Sequence, residues 1–163
     1  MKIAIYPGSF DPITLGHLNI IKRAAAAFDK VYVCVLVNSE KQGLFSPEER
    51  VELIRTVIRG LDNVEAESSS ELLAYYARKK GARVLVKGLR ALSDFEKEFQ
   101  MAAVNSKLNP ELDTVFFPSS DKYTFLSSSV VKEMIRYHID LSAFVPAEII
   151  GIVEQKARDR KEK

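Results

Sequence analysis

An α/β fold built on one mainly parallel sheet is the fold class this sequence predicts, on two alternating patterns and their punctuation. Short, nearly continuous apolar runs alternate with longer stretches in which apolar residues return at helical spacing. The run at residues 31–37 shows no polar alternation, as expected of a strand covered by helices on both faces. Glycine, proline and capping residues fall where one pattern gives way to the other.

Taken in order, the first strand is expected at residues 2–6. The stretch Tyr6-Pro7-Gly8-Ser9-Phe10-Asp11-Pro12-Ile13-Thr14-Leu15-Gly16-His17 follows as a loop, with a helix at about residues 18–28 burying Leu18, Ile21, Ala25 and Phe28. Strand two spans 31–37, and a loop covers 38–45. Ser46-Pro47-Glu48-Glu49 starts the second helix with a capping box and proline at the first helical position. Its buried face is expected to be Val51, Ile54 and Ile58, with Arg50, Arg55 and Arg59 outward. A short strand at 63–66 precedes a helix at 71–80 that stops at Gly81, then a strand at 83–87. Ser93 and Glu96 suggest a second capping box for a helix that ends before Asn109-Pro110. The fifth strand is expected at 113–117, a helix opens at Leu126-Ser127-Ser128-Ser129, and a last helix near Pro146 buries Ile149, Ile152 and Val153.

These elements indicate an α/β fold with a five-stranded, mainly parallel sheet in a single domain over residues 1–163 that ends in a few frayed residues; the arrangement expected of it is Rossmann-like and doubly wound, order 3-2-1-4-5, with C-terminal helices. In that order strands one and four meet at the topological switch point, where ligands bind beyond the strand C-terminal ends. The loops after strands one, four and five should therefore share one site. A strand-to-helix loop is also an anion site, because the first helical N–H groups lack partners and the helix dipole favours negative charge. The first loop is accordingly read as a nucleotide-phosphate loop, with His17 acting on the phosphate.

The totals exclude several classes. The chain is 47% apolar and 28% charged, an ordinary globular composition, and it has no run long enough for a spanning helix and no signal-peptide pattern. Net charge is +2, but the last eight residues hold five basic and two acidic side chains, leaving the body at −1. No basic field for nucleic acid is present, and the tail reads as the solvated end of the last helix. The lone Cys34 fits a cytoplasmic setting. No Walker loop, Gly-x-Gly-x-x-Gly turn, zinc ligand set or Gly-x-Ser-x-Gly elbow occurs. Phosphoryl-type transfer remains the best fit, since it needs positioning and donors rather than a protein nucleophile.

Thr14-Leu15-Gly16-His17 after Gly8-Ser9-Phe10-Asp11-Pro12 resembles the T/H-x-G-H signature of the nucleotidyltransferase superfamily. Lys87-Gly88-Leu89-Arg90, the segment Asp94-Phe95-Glu96 with Glu98, and Phe125-Leu126-Ser127-Ser128-Ser129 resemble the bacterial phosphopantetheine adenylyltransferases. The resemblance spans nearly the whole chain and thins after about Asp140. It implies transfer of AMP from ATP to 4′-phosphopantetheine, with Mg²⁺ accompanying ATP, no metal ligand set from the protein, a homohexamer, and coenzyme A as feedback inhibitor. By matched position, His17 stabilises the charge on the α-phosphate. Ser9, Phe10, His17, Gly88, Leu89, Arg90, Glu98, Tyr123, Thr124, Phe125, Leu126, Ser127, Ser128 and Ser129 meet ATP. Ser9, Lys41, Leu73 and Lys87 meet phosphopantetheine. The sequence departs from the family pattern at Leu15, where Asn is common, at Lys87, where Arg is also common, and at Lys97, where Tyr is frequent. The loop around Lys41 is also looser than its usual counterpart.

Plainer readings stand beside these. His17 alone could be a capping histidine, and His138 near a helix end is structural. Ser127, Ser128 and Ser129 include an N-cap residue whatever else they do. Asp11 before Pro12 reads as a turn residue. Tyr75, Tyr76, Phe95 and Phe99 suit core or subunit packing.

Overall fold

The computed structural model describes residues 1–161; the end of the expected frayed tail lies outside the described residues. Five parallel strands form one sheet in the order β3-β2-β1-β4-β5. They are β1 (Ile3–Gly8), β2 (Lys30–Leu36), β3 (Val64–Ser69), β4 (Val84–Leu89) and β5 (Asp113–Pro118). The helices are α1 (Leu15–Ala27), α2 (Pro47–Val57), α3 (Leu73–Lys79), α4 (Leu92–Leu108), α5 (Ser128–Arg136) and α6 (Ile150–Lys161), with 3₁₀ turns at Asp121–Tyr123 and Ala147–Ile149. The expected α/β class and strand order are both present. Among the described residues, no helix is long and apolar enough to cross a membrane.

Strand alternation splits the core into two layers, one on each face of the sheet. Ala4, Tyr6, Val31, Val33 and Val35 pack with Ile20, Ile21, Ile54, Ile149 and Val153 from α1, α2 and the C-terminal helices. Ile5, Cys34 and Leu85 point the other way, onto Ala74, Tyr76 and Ala77 of α3. Burial pushes the Cys34 thiol up to about 11, so it stays protonated and unreactive.

Several expectations are corrected. Helix α1 starts three residues earlier than read, at Leu15, with Thr14 as N-cap, so His17 lies inside its first turn. Its inward stripe is Ile20, Ile21 and Ala24; Leu18, Ala25 and Phe28 are only partly buried, because the helix is rotated to put His17 and the 20/21/24 positions over the sheet. The Ser46/Glu49 capping box of α2 forms. Arg50 is buried rather than outward, since it lies one turn before Ile54 on the same inward face. Strand β3 extends to Ser69, where pairing with β2 outweighs the weak local pattern. The second capping box is absent: Ala91 is the N-cap of α4, and Ser93 already lies within its first turn. Ile152 is half exposed, because Ile149 and Val153, one turn apart, take the inward positions and the intervening residue is swung outward. Helix α4 also leaves Leu92, Phe95 and Phe99 exposed, although Tyr76 of α3 is core.

Gly81 ends α3 with φ +66°, and Ala82 donates its N–H back to the Ala77 carbonyl at 2.9 Å, the closing bond of a Schellman motif. A Cβ there would meet nothing within 4 Å. Gly81→Ala is therefore expected to cost about 1–2 kcal/mol through left-handed backbone strain alone, read as a lower denaturant midpoint with an unchanged slope.

Candidate active site

The carboxyl ends of β1 and β4, neighbours in the sheet, open into a cavity of about 690 Å³. Its walls come from the loop after β1, the end of β4 with the start of α4, and the first turn of α5. Residues 41–43 close one side. The switch-point rule, two helix starts and the loop polarity thus converge on one place.

Phe10 turns the first loop with φ +48°, a conformation unfavourable for a side chain. Burial of its ring offsets the strain: only 2% is exposed, and it meets Tyr6 and His17 edge-on at 5.3 and 4.9 Å. Asp11 precedes a cis bond to Pro12. Thr14 then caps α1, its hydroxyl accepting the His17 N–H at 3.2 Å. In return His17 Nδ1 accepts the Thr14 N–H at 3.0 Å. The ring nitrogen used for capping must be unprotonated, so the neutral ring carries its proton on Nε2. Burial, assisted by the Arg90 guanidinium, lowers the His17 pKa to about 4. At neutral pH His17 is an uncharged donor whose tautomer is set by the helix cap.

Arg50, Lys87, Arg90 and Lys132 in the wall each pair with a carboxylate. Lys87 Nζ lies 3.1 Å from Glu98 Oε2, with both side chains mostly buried. Arg90 bonds the Leu126 carbonyl at 3.1 Å and Asp94 at 3.2 Å. Ser127 caps α5 through the Val130 N–H at 3.1 Å, and Ser128 ties that helix to the first loop through the Pro12 carbonyl at 2.9 Å. Capping and a place in the cavity wall therefore coexist in this serine run.

Of the residues singled out from sequence, the cavity is lined by Ser9, Phe10, His17, Lys41, Lys87, Gly88, Arg90, Glu98, Tyr123, Leu126, Ser127, Ser128 and Ser129. Leu89, Thr124, Phe125 and Leu73 do not line it. Thr124 bonds back to the Asp121 carbonyl, Phe125 packs edge-on against Phe144, and Leu73 packs at the start of α3 beside the second core layer. Sequence reading passed over Asp11, Arg50, Asp94, Lys97 and Lys132 as lining residues. Lys132 was accessible to it, since it falls one turn after Ser128 and Ser129 on the same helix face. Asp11 was not, because its partners are more than thirty residues away.

The cytidylyltransferase-like family profile matches residues 5–134. A Clostridium botulinum protein named phosphopantetheine adenylyltransferase is 51% identical over 162 residues, covering 99% of both chains. A Clostridium tetani protein of the same name is 50% identical over 160 residues, covering 98% of this chain and all of its own. Among solved structures, a bifunctional NMN adenylyltransferase/ADP ribose pyrophosphatase from Francisella tularensis superposes with a TM-score of 0.71 at 16% identity, over 98% of this chain and 50% of the other. The Plasmodium falciparum nicotinic acid mononucleotide adenylyltransferase superposes at 0.66 and 15% identity, over 98% and 96%. The solved structures share the fold; the sequence relatives and the profile settle the lineage. This chain belongs to the phosphopantetheine adenylyltransferase family of nucleotidyltransferases.

Proposed function

We propose that this nucleotidyltransferase of coenzyme A biosynthesis transfers AMP from ATP to 4′-phosphopantetheine, releasing pyrophosphate and forming dephospho-coenzyme A. The observation that carries the reading is the convergence of three separated segments, ending in His17, Arg90 and Ser129, on one cavity at the switch point. An oxygen of the acceptor phosphate attacks the α-phosphorus in line; the bond to the bridging oxygen breaks, and pyrophosphate leaves with its electron pair. The attacking phosphate is already anionic, so no general base and no covalent enzyme intermediate are required. His17 donates from Nε2 to an α-phosphate oxygen as charge shifts onto it. Ser9, Phe10, Gly88, Arg90, Glu98, Tyr123, Leu126, Ser127, Ser128 and Ser129 form the ATP side, with Lys41, Lys87 and Ser9 on the acceptor side. Roles for Leu89, Thr124, Phe125 and Leu73 rest on the resemblance alone.

Mg²⁺ would enter with the phosphates of ATP. Among the described residues no group of three His, Cys, Asp or Glu side chains forms a cage, and Asp11 in the wall is already engaged by cations. Coenzyme A contains the product skeleton and would compete in the same cavity as a feedback inhibitor. The exposed Leu92, Phe95 and Phe99 face supports burial of α4 in a homohexamer, which sedimentation tests. We place the enzyme in the cytoplasm.

Pyrophosphate release across acceptors tests the reading. Release is expected with 4′-phosphopantetheine and not with nicotinamide mononucleotide. Turnover with the mononucleotide alone would overturn the acceptor assignment, and ATP binding without turnover would overturn the enzyme itself.

A further inference from the structure

Asp11 takes no part in the transfer, yet it is the most heavily engaged carboxylate in the cavity wall. It is 4% exposed. Its Oδ1 accepts the Phe45 N–H at 2.8 Å and lies 3.4 Å from Arg50 Nε. Its Oδ2 accepts the Leu44 N–H at 2.8 Å and Lys132 Nζ at 2.8 Å. A turn residue ahead of a proline needs none of these partners.

Three of these partners, Leu44, Phe45 and Arg50, belong to or hold the segment that carries Lys41, while Lys132 reaches Asp11 from α5. Arg50 donates to the Phe45 carbonyl at 2.9 Å and to the Ser9 carbonyl at 3.3 Å, bridging that segment to the phosphate loop. From outside, α6 reaches it: Arg160 donates to the Gly43 carbonyl at 3.0 Å, and Lys156 pairs at 2.5 Å with Glu49 in the adjoining first turn of α2. Gly43 sits so close that a Cβ would fall 1.8 Å from Arg50 Nη2 and 2.7 Å from Asp11 Oδ2. Lys41, two residues earlier, lines the cavity with an exposed side chain that forms no ion pair among the described residues.

We propose that Asp11 is a positioning residue whose carboxylate clamps residues 43–45 to the phosphate loop and so fixes Lys41 on the acceptor side of the cavity. The proposal rests on the acceptor reading above for what Lys41 meets, but the clamp itself does not. Asparagine at this position keeps the shape but offers one acceptor oxygen in place of two and no charge for Arg50 and Lys132.

Two measurements on the full chain test it. In the first, trypsin cleavage after Lys41 is timed under native conditions, and Asp11→Asn is expected to be cut about tenfold faster than wild type, since freeing the segment lowers its local opening free energy. The second is a double-mutant cycle on the KM for 4′-phosphopantetheine. Lys41→Ala is expected to raise that KM about tenfold in the wild-type background but less than about twofold once Asp11→Asn is present, because Asp11 acts through Lys41. Unchanged cleavage or additive KM effects overturn the proposal. Should Asp11→Asn not fold, Gly43→Ala leaves Asp11 in the chain but crowds Arg50 and the Asp11 carboxylate, so it displaces the same segment and is expected to give both results; wild-type behaviour there overturns the clamp. Failure of wild type to use phosphopantetheine would sink the acceptor reading while the cleavage assay still decides on the clamp.

Discussion

Replacing His17 with alanine is expected to lower kcat by about 10²–10³, as loss of one donor to developing transition-state charge does, while ATP affinity changes little. Stability should drop by about 1 kcal/mol as well, because Nδ1 also caps α1 through the Thr14 N–H. Two further variants separate these effects. His17→Asn presents an acceptor near the Nδ1 position but nothing at Nε2, and is expected to recover stability without turnover. His17→Gln places an amide donor near Nε2 and is expected to recover part of the rate. Near-wild-type turnover in His17→Ala would remove the donor mechanism altogether.

The protonation state gives an independent check. Because burial and Arg90 lower the folded pKa to about 4, the native state binds fewer protons than the unfolded chain between about pH 4 and the ordinary histidine value. His17 therefore favours the folded state less as pH falls through that window, and the neutral donor survives until about pH 4. An NMR titration of the ring should show a midpoint near 4; a midpoint near 6.5 would contradict the buried, neutral assignment.

Lys87→Ala is expected to have the second largest effect, lowering kcat/KM for 4′-phosphopantetheine by about 10²-fold with a smaller change in KM for ATP. Lost attraction to phosphate is only part of the cause. Glu98, 3.1 Å away and mostly buried, would be left as an unpaired negative charge in the cavity wall, repelling the incoming acceptor. The double variant Lys87→Ala, Glu98→Gln should accordingly regain about tenfold over the single variant, and Lys87→Arg should stay close to wild type. A defect confined to ATP affinity would contradict placing Lys87 on the acceptor side.

Residues 31–37 and the Ser46/Glu49 box illustrate what is legible in the sequence. An uninterrupted apolar run and a capping box each express a local preference, and both act at the places expected. The Ser93/Glu96 pattern fails for a reason that is not local. The chain leaves β4 at Leu89 and re-enters a helix at Leu92, so the tertiary crossover set the helix start before the capping pattern could. Arg50 turns inward against the expectation that a charged side chain faces water, because helical periodicity puts it one turn from Ile54 on the inward face.

By itself the sequence determined the α/β class and the lineage, because apolar periodicity, punctuation and short motifs are all encoded over a few consecutive residues; the strand order it led one to expect is the one the sheet adopts. It also brought the first loop, the end of β4 and the start of α5 to one end of the sheet, since that follows from strand order. Only the tertiary structure decided that His17 is a neutral Nε2 donor, that Lys87 is held by Glu98, and that Asp11 ties the loop after β1 to Leu44, Phe45, Arg50 and Lys132. Except for the His17 cap, these depend on desolvation and on partners distant along the chain, which no local pattern records.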